Sequence, residues 1–366
     1  MPEPETEQKN PSGTAPLSPR RETFLARYSR NFKISVAGLC VGLIVIPFCW
    51  PKGHAPIPVP KATVRGQESQ AAIPNPALQR PDHPSPASSA GPTIINDQDD
   101  RTLKMAPAPD GGLTEDTAEG SLPRIGSDGR QPWQVYARPF NTADTRPRVA
   151  IVVTGLGLSR IETDAAIARL PANVTLAFDV QSRVVGAWCS RARQDGHETL
   201  LVVPMEPFDY PRSDPGPNTL LTTLPNTDNL SRLQWALRQS TGYVGITTMS
   251  GSRFTTDPEK LEPVLDVVKR RGLMILDSRV APHSAVTDMG RERHIPVAMG
   301  TAQLDQNLTP EAIDAALSQL EQTARLTGHA VGITAPVPLM IDHLQAWLKE
   351  LPRRGIALAP ISAMVK

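Results

Sequence analysis

The sequence predicts an α/β protein, an incomplete or distorted (β/α) barrel preceded by a single transmembrane helix and a disordered Pro-rich spacer. After Val149, short β-branched runs alternate with amphipathic helical stretches, which is typical of a parallel sheet with helical crossovers. About 22 of the 38 prolines precede Arg148, and one long apolar run lies near the N-terminus. We therefore place the fold in residues 148–366, a stretch of about 220 residues that can bury a sizeable core.

An uncharged run at residues 34–50, ISVAGLCVGLIVIPFCW, predicts a membrane anchor. As a helix it would measure about 25 Å, just under a typical hydrocarbon core. Basic residues cluster before it, so the positive-inside rule predicts a cytoplasmic segment at residues 1–33 and a periplasmic C-terminal domain on a single-pass inner-membrane protein. A cleaved signal peptide is the alternative, because GHA at residues 53–55 resembles a cleavage site. The long apolar run and Pro56 directly after that site favour the anchor.

The predicted linker spans residues 51–147 and is rich in Pro, Ala, Ser, Gly and Asp, as in PNPALQRPDHPSPASSAGP. Such a segment buries too little apolar area to offset its ordering entropy. We expect an inert, semi-extended tether with polyproline II character, and a partner-binding arm is the alternative. The aromatic pair in QPWQVYARP, at residues 131–139, is expected to dock on the domain.

Charge and cysteine content exclude several classes of protein. The formal net charge is +1, so no global field favours nucleic acid. Of the three cysteines, Cys189 lies in the predicted globular part, whereas the other two lie in the apolar N-terminal run. This usage predicts neither a disulfide framework nor a thiolate metal site, and we interpret Cys189 as a structural thiol.

The elements of the domain follow from hydrophobic period and capping signals. Strands are predicted at residues 149–153, 174–178, 199–203, 243–248, 273–277, 294–298, 330–334 and 356–360. Helices are predicted at residues 159–170, 183–195, 229–240, 258–271, 309–326 and 339–351. Ser159 and Glu162 form a capping box, and Pro258 and Pro310 stand at first-turn positions. No G-x-G-x-x-G follows the first strand, which argues against an open dinucleotide-binding sheet.

In a barrel, the chemistry lies where the strands end. The residues at the predicted strand ends are Thr154, Asp179, Glu206, residues 247–253, residues 277–279, Asp305 and residues 334–335. None of the seven histidines falls at a predicted strand end. The sequence therefore offers carboxylates, hydroxyls and arginines there, but no imidazole.

Five strings occur in this order: VAIVVTGLGLSR, VPMEPFDYPRSDPGPNTLL, GITTMSGSRFTTD, LMILDSR and ITAPVP. They resemble successive motifs of the divergent polysaccharide deacetylase family, and the resemblance covers essentially all of residues 148–366. It implies a β/α barrel of the glycoside hydrolase/deacetylase type in the bacterial cell envelope. It also implies kinship with enzymes that remove N-acetyl groups from hexosamine polymers with a divalent metal.

The chain departs from the family pattern at the positions that carry metal chemistry. Thr154 and Gly155 stand where the family has paired aspartates, and Thr248 and Met249 stand where it has Asn-His. Val202 replaces the family's third-strand histidine, and Thr334 and Ala335 replace its late Gly-His pair. Hydroxyls are poor zinc ligands compared with imidazole, thiolate or carboxylate. The retained positions are Glu206, Ser252, Arg253, Asp277, Ser278, Arg279 and Asp305.

We identify no complete catalytic set, and the remnant catalytic candidates are Asp277 and Glu206. The substrate-binding candidates are Arg253, Ser250, Ser252, Arg279 and Asp305, because hydroxyls and planar guanidinium groups suit sugar recognition. We expect no metal site and no cofactor, and a divalent metal such as zinc only if activity is retained. Three carboxylates could still hold Mg²⁺ or Ca²⁺. The structural alternatives are an ion pair between Asp277 and Arg279, a helix cap for Glu206 and a turn role for Asp305.

Three functional hypotheses follow. The first is a catalytically degenerate domain that binds a cell-wall glycan or a peptidoglycan-derived sugar. The second is a weakly active, metal-dependent N-deacetylase of hexosamine polymers. The third is an interaction module that binds envelope proteins and regulates wall enzymes. In each case the membrane is contacted through residues 34–50, and nucleic acid is not a partner.

Overall fold

The computed structural model describes residue 101, residues 103–248 and residues 250–365. The predicted cytoplasmic segment, the predicted anchor at residues 34–50 and the first half of the predicted linker lie outside these residues. Within the described part of the chain, no helix is both long enough and apolar enough to cross a bilayer.

In the part of the chain that the structure describes, nine parallel strands form one sheet, and two more form a separate hairpin. The hairpin pairs β1 (Thr114–Thr117) with β2 (Gly120–Pro123) in antiparallel fashion. The sheet contains β3 (Arg148–Leu156), β4 (Thr175–Asp179), β5 (Thr199–Val202), β6 (Gly245–Thr247), β7 (Met274–Asp277), β8 (Val297–Met299), β9 (Ala302–Gln303), β10 (His329–Thr334) and β11 (Ala357–Leu358). Its strand order is β8-β7-β6-β5-β4-β3-β10-β9, and β11 pairs with β3 off this path.

The sheet curls so far that its two ends are consecutive in the chain. Strand β8 pairs with β7, strand β9 pairs with β10, and only Gly300 and Thr301 separate β8 from β9. This closure confirms the prediction of a distorted barrel. The last predicted strand, at residues 356–360, corresponds to β11 and does not extend the ring. It pairs instead, at Ala357 and Leu358, with the beginning of β3.

The helices lie in two places: the first precedes the sheet, and those that follow β3 cover its outside. They are α1 (Pro132–Val135), α2 (Arg160–Arg169), α3 (Val185–Gln194), α4 (Asn226–Leu237), α5 (Pro258–Arg270), α6 (Val286–Glu292), α7 (Pro310–Thr327) and α8 (Pro338–Glu350). The Ser159 side chain accepts a hydrogen bond from the Glu162 N–H, and Thr309 caps α7 in the same way. The predicted cap at Ser159 is thus confirmed, as is Pro310 in the first turn of α7. Helix α6, with seven residues, was not predicted, because two turns are too short to show a hydrophobic period.

Alternation along the strands divides the core into two layers. Val149, Ile151 and Val153 of β3 point to the helices, whereas Ala150 and Val152 point into the barrel. All five side chains are fully buried. Cys189 belongs to the outer layer, and burial raises the pKa of its thiol to about 12, as expected of a structural cysteine.

The segment at residues 103–147, called here the N-terminal arm, is folded, which differs from the predicted disordered linker over residues 51–147. It contains the hairpin and α1, and its Leu113 and Tyr136 side chains lie in the interior layer of the barrel. The predicted docking of residues 131–139 is confirmed, since the Trp133 N–H donates to the Gly272 carbonyl at 3.1 Å. The arm is ordered because it supplies the apolar groups that close the amino-terminal end of the barrel.

We call the amino-terminal end of the strands the floor and the carboxyl end the mouth. At the floor the fully buried Glu198 carboxylate accepts from Ser362 N at 3.0 Å, from Ser362 Oγ at 2.5 Å and from Arg138 N at 3.0 Å. Arg193 donates to the carbonyls of Tyr136 and Ala106. These bonds join the arm and the C-terminal 3-10 helix (Ile361–Met364) to the start of β5.

Candidate functional site

Because parallel strands end at one edge, the mouth gathers the polar groups that follow β3 to β10. Thr154, Asp179, Asp277 and Thr334 stand at these ends and are nearly inaccessible to solvent. The Thr154 hydroxyl donates to the Thr334 carbonyl at 3.4 Å, which links β3 to β10. The candidates predicted from sequence therefore do lie at the mouth, and their individual partners decide what each can do.

Glu206 follows β5 and holds the long loop that begins at Pro204. Its carboxylate accepts from the Thr222 N–H at 2.5 Å and from the Thr222 hydroxyl at 2.7 Å. Its own N–H donates to the Leu220 carbonyl at 2.9 Å. The predicted helix cap is therefore corrected: the donors come from a loop residue, since the loop folds back beside the end of β5.

Arg253 and Ser252 lie after β6 and contact the same loop. The Arg253 Nε atom is 3.4 Å from Glu206 Oε1, and its Nη2 atom donates to the Phe208 carbonyl at 3.0 Å. The Ser252 hydroxyl accepts from the Phe208 N–H at 2.9 Å. The Arg253 guanidinium also lies over the Phe208 ring, 6.0 Å from its centroid, and about half of the side chain is exposed. Arg253 and Phe208 thus form an exposed cation and aromatic pair.

The turn after β6 brings Ser250 to the same side of the mouth. The Ser250 carbonyl accepts a hydrogen bond from the Thr248 hydroxyl, and the residue is half-buried. Gly251 has φ +102°, and a Cβ atom there would stand 2.8 Å from Met205 Cβ. A glycine is needed at this position because the turn packs directly against the segment before Glu206.

Asp277 ends β7 with both carboxylate oxygens engaged. Oδ1 accepts from the Arg279 N–H at 3.0 Å, and Oδ2 accepts from the Thr287 hydroxyl of α6 at 2.7 Å. The expected ion pair is corrected, because Asp277 contacts the Arg279 backbone while the exposed guanidinium lies 4.0 Å from Met299 Sδ. Arg279 has φ +50°, which turns its side chain away from Asp277.

Ser278 lies between these two residues and is also buried. Its Oγ atom has no hydrogen-bond partner among the described residues. A buried hydroxyl without a partner is uncommon in native structures. Among the buried side chains that the structure describes, the Ser182 hydroxyl, three residues after β4, shares this property at the mouth.

Asp305 follows β9, which pairs with β10. Its Oδ2 atom accepts from the Ala335 N–H at 2.7 Å, just after β10. The residue is half-buried, and this bond holds the loop after β10. The contact agrees with the alternative interpretation of Asp305 as a turn residue.

Asp179, at the end of β4, was left out of the residues singled out as site candidates. Its Oδ1 atom accepts from the Gln181 N–H at 2.8 Å, and burial raises the pKa of the carboxyl. The signal in the sequence was its position directly after the apolar run VTLAF.

The donor set does not fit a zinc site. Within the described residues, no three histidine, cysteine, aspartate or glutamate side chains converge. Glu206, Asp277 and Asp305 each follow a different strand and each accept hydrogen bonds from the protein. A zinc ion requires imidazole, thiolate or carboxylate groups converging on one point. We therefore derive no chemical step through a metal.

Comparisons with known proteins agree with this fold. A family model described as "Divergent polysaccharide deacetylase" matches residues 151–365. A solved structure of an uncharacterized protein from Agrobacterium tumefaciens C58 is 37% identical, with a TM-score of 0.66, and the match covers 67% of this chain and 100% of that one.

Two curated bacterial proteins are more distant relatives. An uncharacterized protein of Haemophilus influenzae is 24% identical over 206 residues, which is 56% of this chain and 72% of that protein. The uncharacterized protein YibQ of Escherichia coli K12 is 23% identical over 206 residues, which is 56% of this chain and 63% of YibQ. The family model, over residues 151–365, covers the barrel.

Proposed function

Because the chain belongs to the divergent polysaccharide deacetylase family, we propose that it is a membrane-anchored envelope protein that binds a cell-wall glycan and has lost deacetylase catalysis. The glycan is peptidoglycan or a sugar derived from it. The family supports a carbohydrate-related role, and the loss of catalysis is argued from the residues at the mouth.

One observation carries this proposal: the retained carboxylates hold the protein's own loops. Metal-dependent hydrolysis needs a cation to acidify a bound water and a base to accept its proton. Both Asp277 oxygens accept hydrogen bonds, one from Arg279 N and one from Thr287 Oγ1. One Glu206 oxygen accepts from Thr222. Their geometry serves packing of the mouth instead of activation of water.

Binding is supported by what the mouth still exposes. The Arg253 guanidinium and the Phe208 ring stand together at the entrance, and Phe208 is 55% exposed. A planar cation with several donors recognises hydroxyl and carbonyl oxygens, and an aromatic face packs against the C–H groups of a sugar ring. The pair offers both contacts that a glycan uses.

The location belongs to the same proposal. Residues 1–33 would be cytoplasmic, residues 34–50 would span the inner membrane, and the chain after them would be periplasmic. N-terminal sequencing of the membrane fraction tests this, since a mature chain that begins at Pro56 would replace the anchor by a cleaved signal peptide.

Calorimetry of the full-length protein with chitooligosaccharides and soluble peptidoglycan fragments tests the binding. We expect saturable binding that the Arg253→Gln variant weakens about tenfold, as loss of a charged hydrogen bond does. Arg353→Gln is the matched control, because Arg353 is an exposed arginine that pairs with Glu350 after α8. No binding by the wild-type protein would refute the proposal.

The second candidate, a weakly active N-deacetylase, is favoured by the buried Asp179, whose raised pKa suits a proton acceptor better than an ordinary aspartate. Elemental analysis and an acetate-release assay separate the two functions. Stoichiometric divalent metal together with acetate release would favour the enzyme, whereas glycan binding without release favours the degenerate domain.

A further inference from the structure

Strands β8 and β9 act as one bent strand, because Gly300 and Thr301 alone join them and continue the ladder between β7 and β10. The outer layer leaves a gap beside this bent strand. Met299 and Thr301 are exposed there, and Ala302 and Gln303 are half-buried.

That gap is a cleft of about 710 Å³, called here the lateral cleft. It is bounded by Ser278 and Arg279 after β7, by residues 300–304 and by α7. Helix α7 lines it with Ala312, Ala315 and Ala316, which the i, i+3, i+4 spacing puts on one face. The small alanine side chains keep the helix from filling the space.

Seven of the sixteen residues that line the cleft have neutral hydrogen-bonding side chains. These are Ser278, Thr301, Gln303, Gln306, Asn307, Gln319 and Thr323. Among the described residues that line it, Arg279 is the only charged one. Amides and hydroxyls both donate and accept, so they suit a ligand rich in hydroxyl groups, and the guanidinium suits one anionic group.

Ser278 and Gly300 both border the cleft. The Ser278 side chain is 3% exposed, and its Oγ atom has no hydrogen-bond partner among the described residues. At Gly300, a Cβ atom would stand 2.8 Å from Ile333 Cδ1 and 3.3 Å from the Ser278 carbonyl, so a larger residue there would require the Ile333 side chain to shift. A ligand hydroxyl that reaches Ser278 would give it the partner that the protein does not supply.

We propose that the lateral cleft binds a carboxylate-bearing sugar unit of the envelope glycan. Its hydroxyl groups bond to Ser278 and the amides of the lining, and its carboxylate pairs with Arg279. This inference rests on the proposed function and names the class of glycan. One arginine among neutral groups balances a monoanion, whereas a phosphate monoester would bring up to two negative charges to one cation.

The Arg279 guanidinium can make this contact because little else holds it. Its backbone is anchored by Asp277, and its side-chain contact is the weak one to Met299 Sδ at 4.0 Å. Positive φ at a residue other than glycine costs conformational energy and is kept where the neighbourhood demands it. The Arg279 side chain borders the cleft.

The test uses the full-length protein and a pair of ligands that differ only in charge: tetragalacturonate and its methyl ester. We expect the acid to bind about tenfold tighter than the ester, as a charged hydrogen bond predicts. Arg279→Gln should abolish this preference, and Arg279→Lys should restore part of it. Arg353→Gln, at an exposed arginine paired with Glu350, should leave it unchanged.

A second variant tests the cleft itself without changing any charge. Ala316→Phe would fill the space in front of α7 and should weaken binding of the acid, while circular dichroism confirms an intact fold. A tetrasaccharide of N-acetylglucosamine and N-acetylmuramic acid identifies the source of the carboxylate. Tighter binding of this tetrasaccharide points to peptidoglycan, and tighter binding of tetragalacturonate points to a uronic-acid polymer.

The outcomes separate this inference from the proposed function. Equal affinity for acid and ester, or an acid preference that survives Arg279→Gln, would overturn the carboxylate assignment while leaving glycan binding in place. Competition by inorganic phosphate as strong as by galacturonate would also overturn it. If the wild-type protein bound none of the sugars, including chitotetraose, the proposed function itself would fail.

Discussion

The floor and the mouth of the barrel use buried glutamates in different ways. At the floor, Glu198 joins three segments that are far apart in the chain: the start of β5, the N-terminal arm and the C-terminal 3-10 helix. At the mouth, Glu206 contacts the loop that follows it and the turn after β6. The floor therefore secures the whole domain, whereas the contacts at the mouth shape one entrance. This division is the one seen in barrel enzymes, where stability and chemistry lie at opposite ends.

Removing the arm should have the largest effect. A chain that begins at Arg148 loses Leu113, Leu122 and Tyr136, and burial of each such side chain contributes about 1.5–3 kcal/mol. That sum is comparable to the whole stability of a typical domain. We expect no cooperative thermal transition by circular dichroism, whereas a chain that begins at Arg101 should keep one. Equal melting temperatures would show that the floor is not the stabilising end.

Glu198→Ala should come next, with a free energy of unfolding lower by about 3–5 kcal/mol. The substitution leaves the Arg138 N–H and both Ser362 donors buried without an acceptor. Urea unfolding measures the loss. A change below about 1 kcal/mol would mean that water replaces the carboxylate, and the floor would then be less tightly closed than described.

Glu206→Ala should cost less, about 1–3 kcal/mol, since it removes the acceptor for Thr222 alone and the ion pair with a half-exposed Arg253. The same urea titration applies, with Glu206→Gln as the variant that keeps an oxygen acceptor. If Glu206→Ala were as damaging as Glu198→Ala, the contrast between the two ends would disappear.

The smallest effect concerns pH. Burial raises the pKa of Glu198 above its usual 4.5, although hydrogen bonds from Ser362 and Arg138 oppose the shift. Because the pKa is raised in the folded state, protonated Glu198 contributes to the stability of the fold. This contribution is complete below pH 4.5 and is lost as pH rises through the folded-state pKa. The free energy of unfolding of the wild type relative to Glu198→Gln should therefore decline above that pH. A difference that rises with pH would show that the carboxylate is the favoured form.

Most of the barrel could be predicted because its signals are local. The β-branched runs predicted β4, β5, β7 and β10 to within one residue and β3 to within three, and Ser159 and Thr309 marked the starts of two helices. The arm could not be predicted in this way. Its hairpin strands are four residues long and largely exposed, and its buried groups are scattered among polar residues. Its order comes from the cavity that it fills, which a local pattern does not reveal.

The positions of the candidate site residues could be predicted from the sequence, but their hydrogen-bond partners could not. The strand ends pointed to Glu206, Asp277 and Asp305, and all three lie at the mouth. Their donors come from Thr222, Thr287 and Ala335, which follow in loops or a short helix whose path the sequence does not specify. The lateral cleft likewise depends on a connection without a helix, a feature that appears only when the strands are paired.

The entry point of the chain into the barrel bears on how the protein could work. Arg101 donates to the Ala168 and Leu170 carbonyls at the end of α2, so the polypeptide arrives at the base of the domain. The exposed pair of Arg253 and Phe208 lies at the other end of the strands. Binding at the mouth would therefore leave the contacts of Arg101 in place.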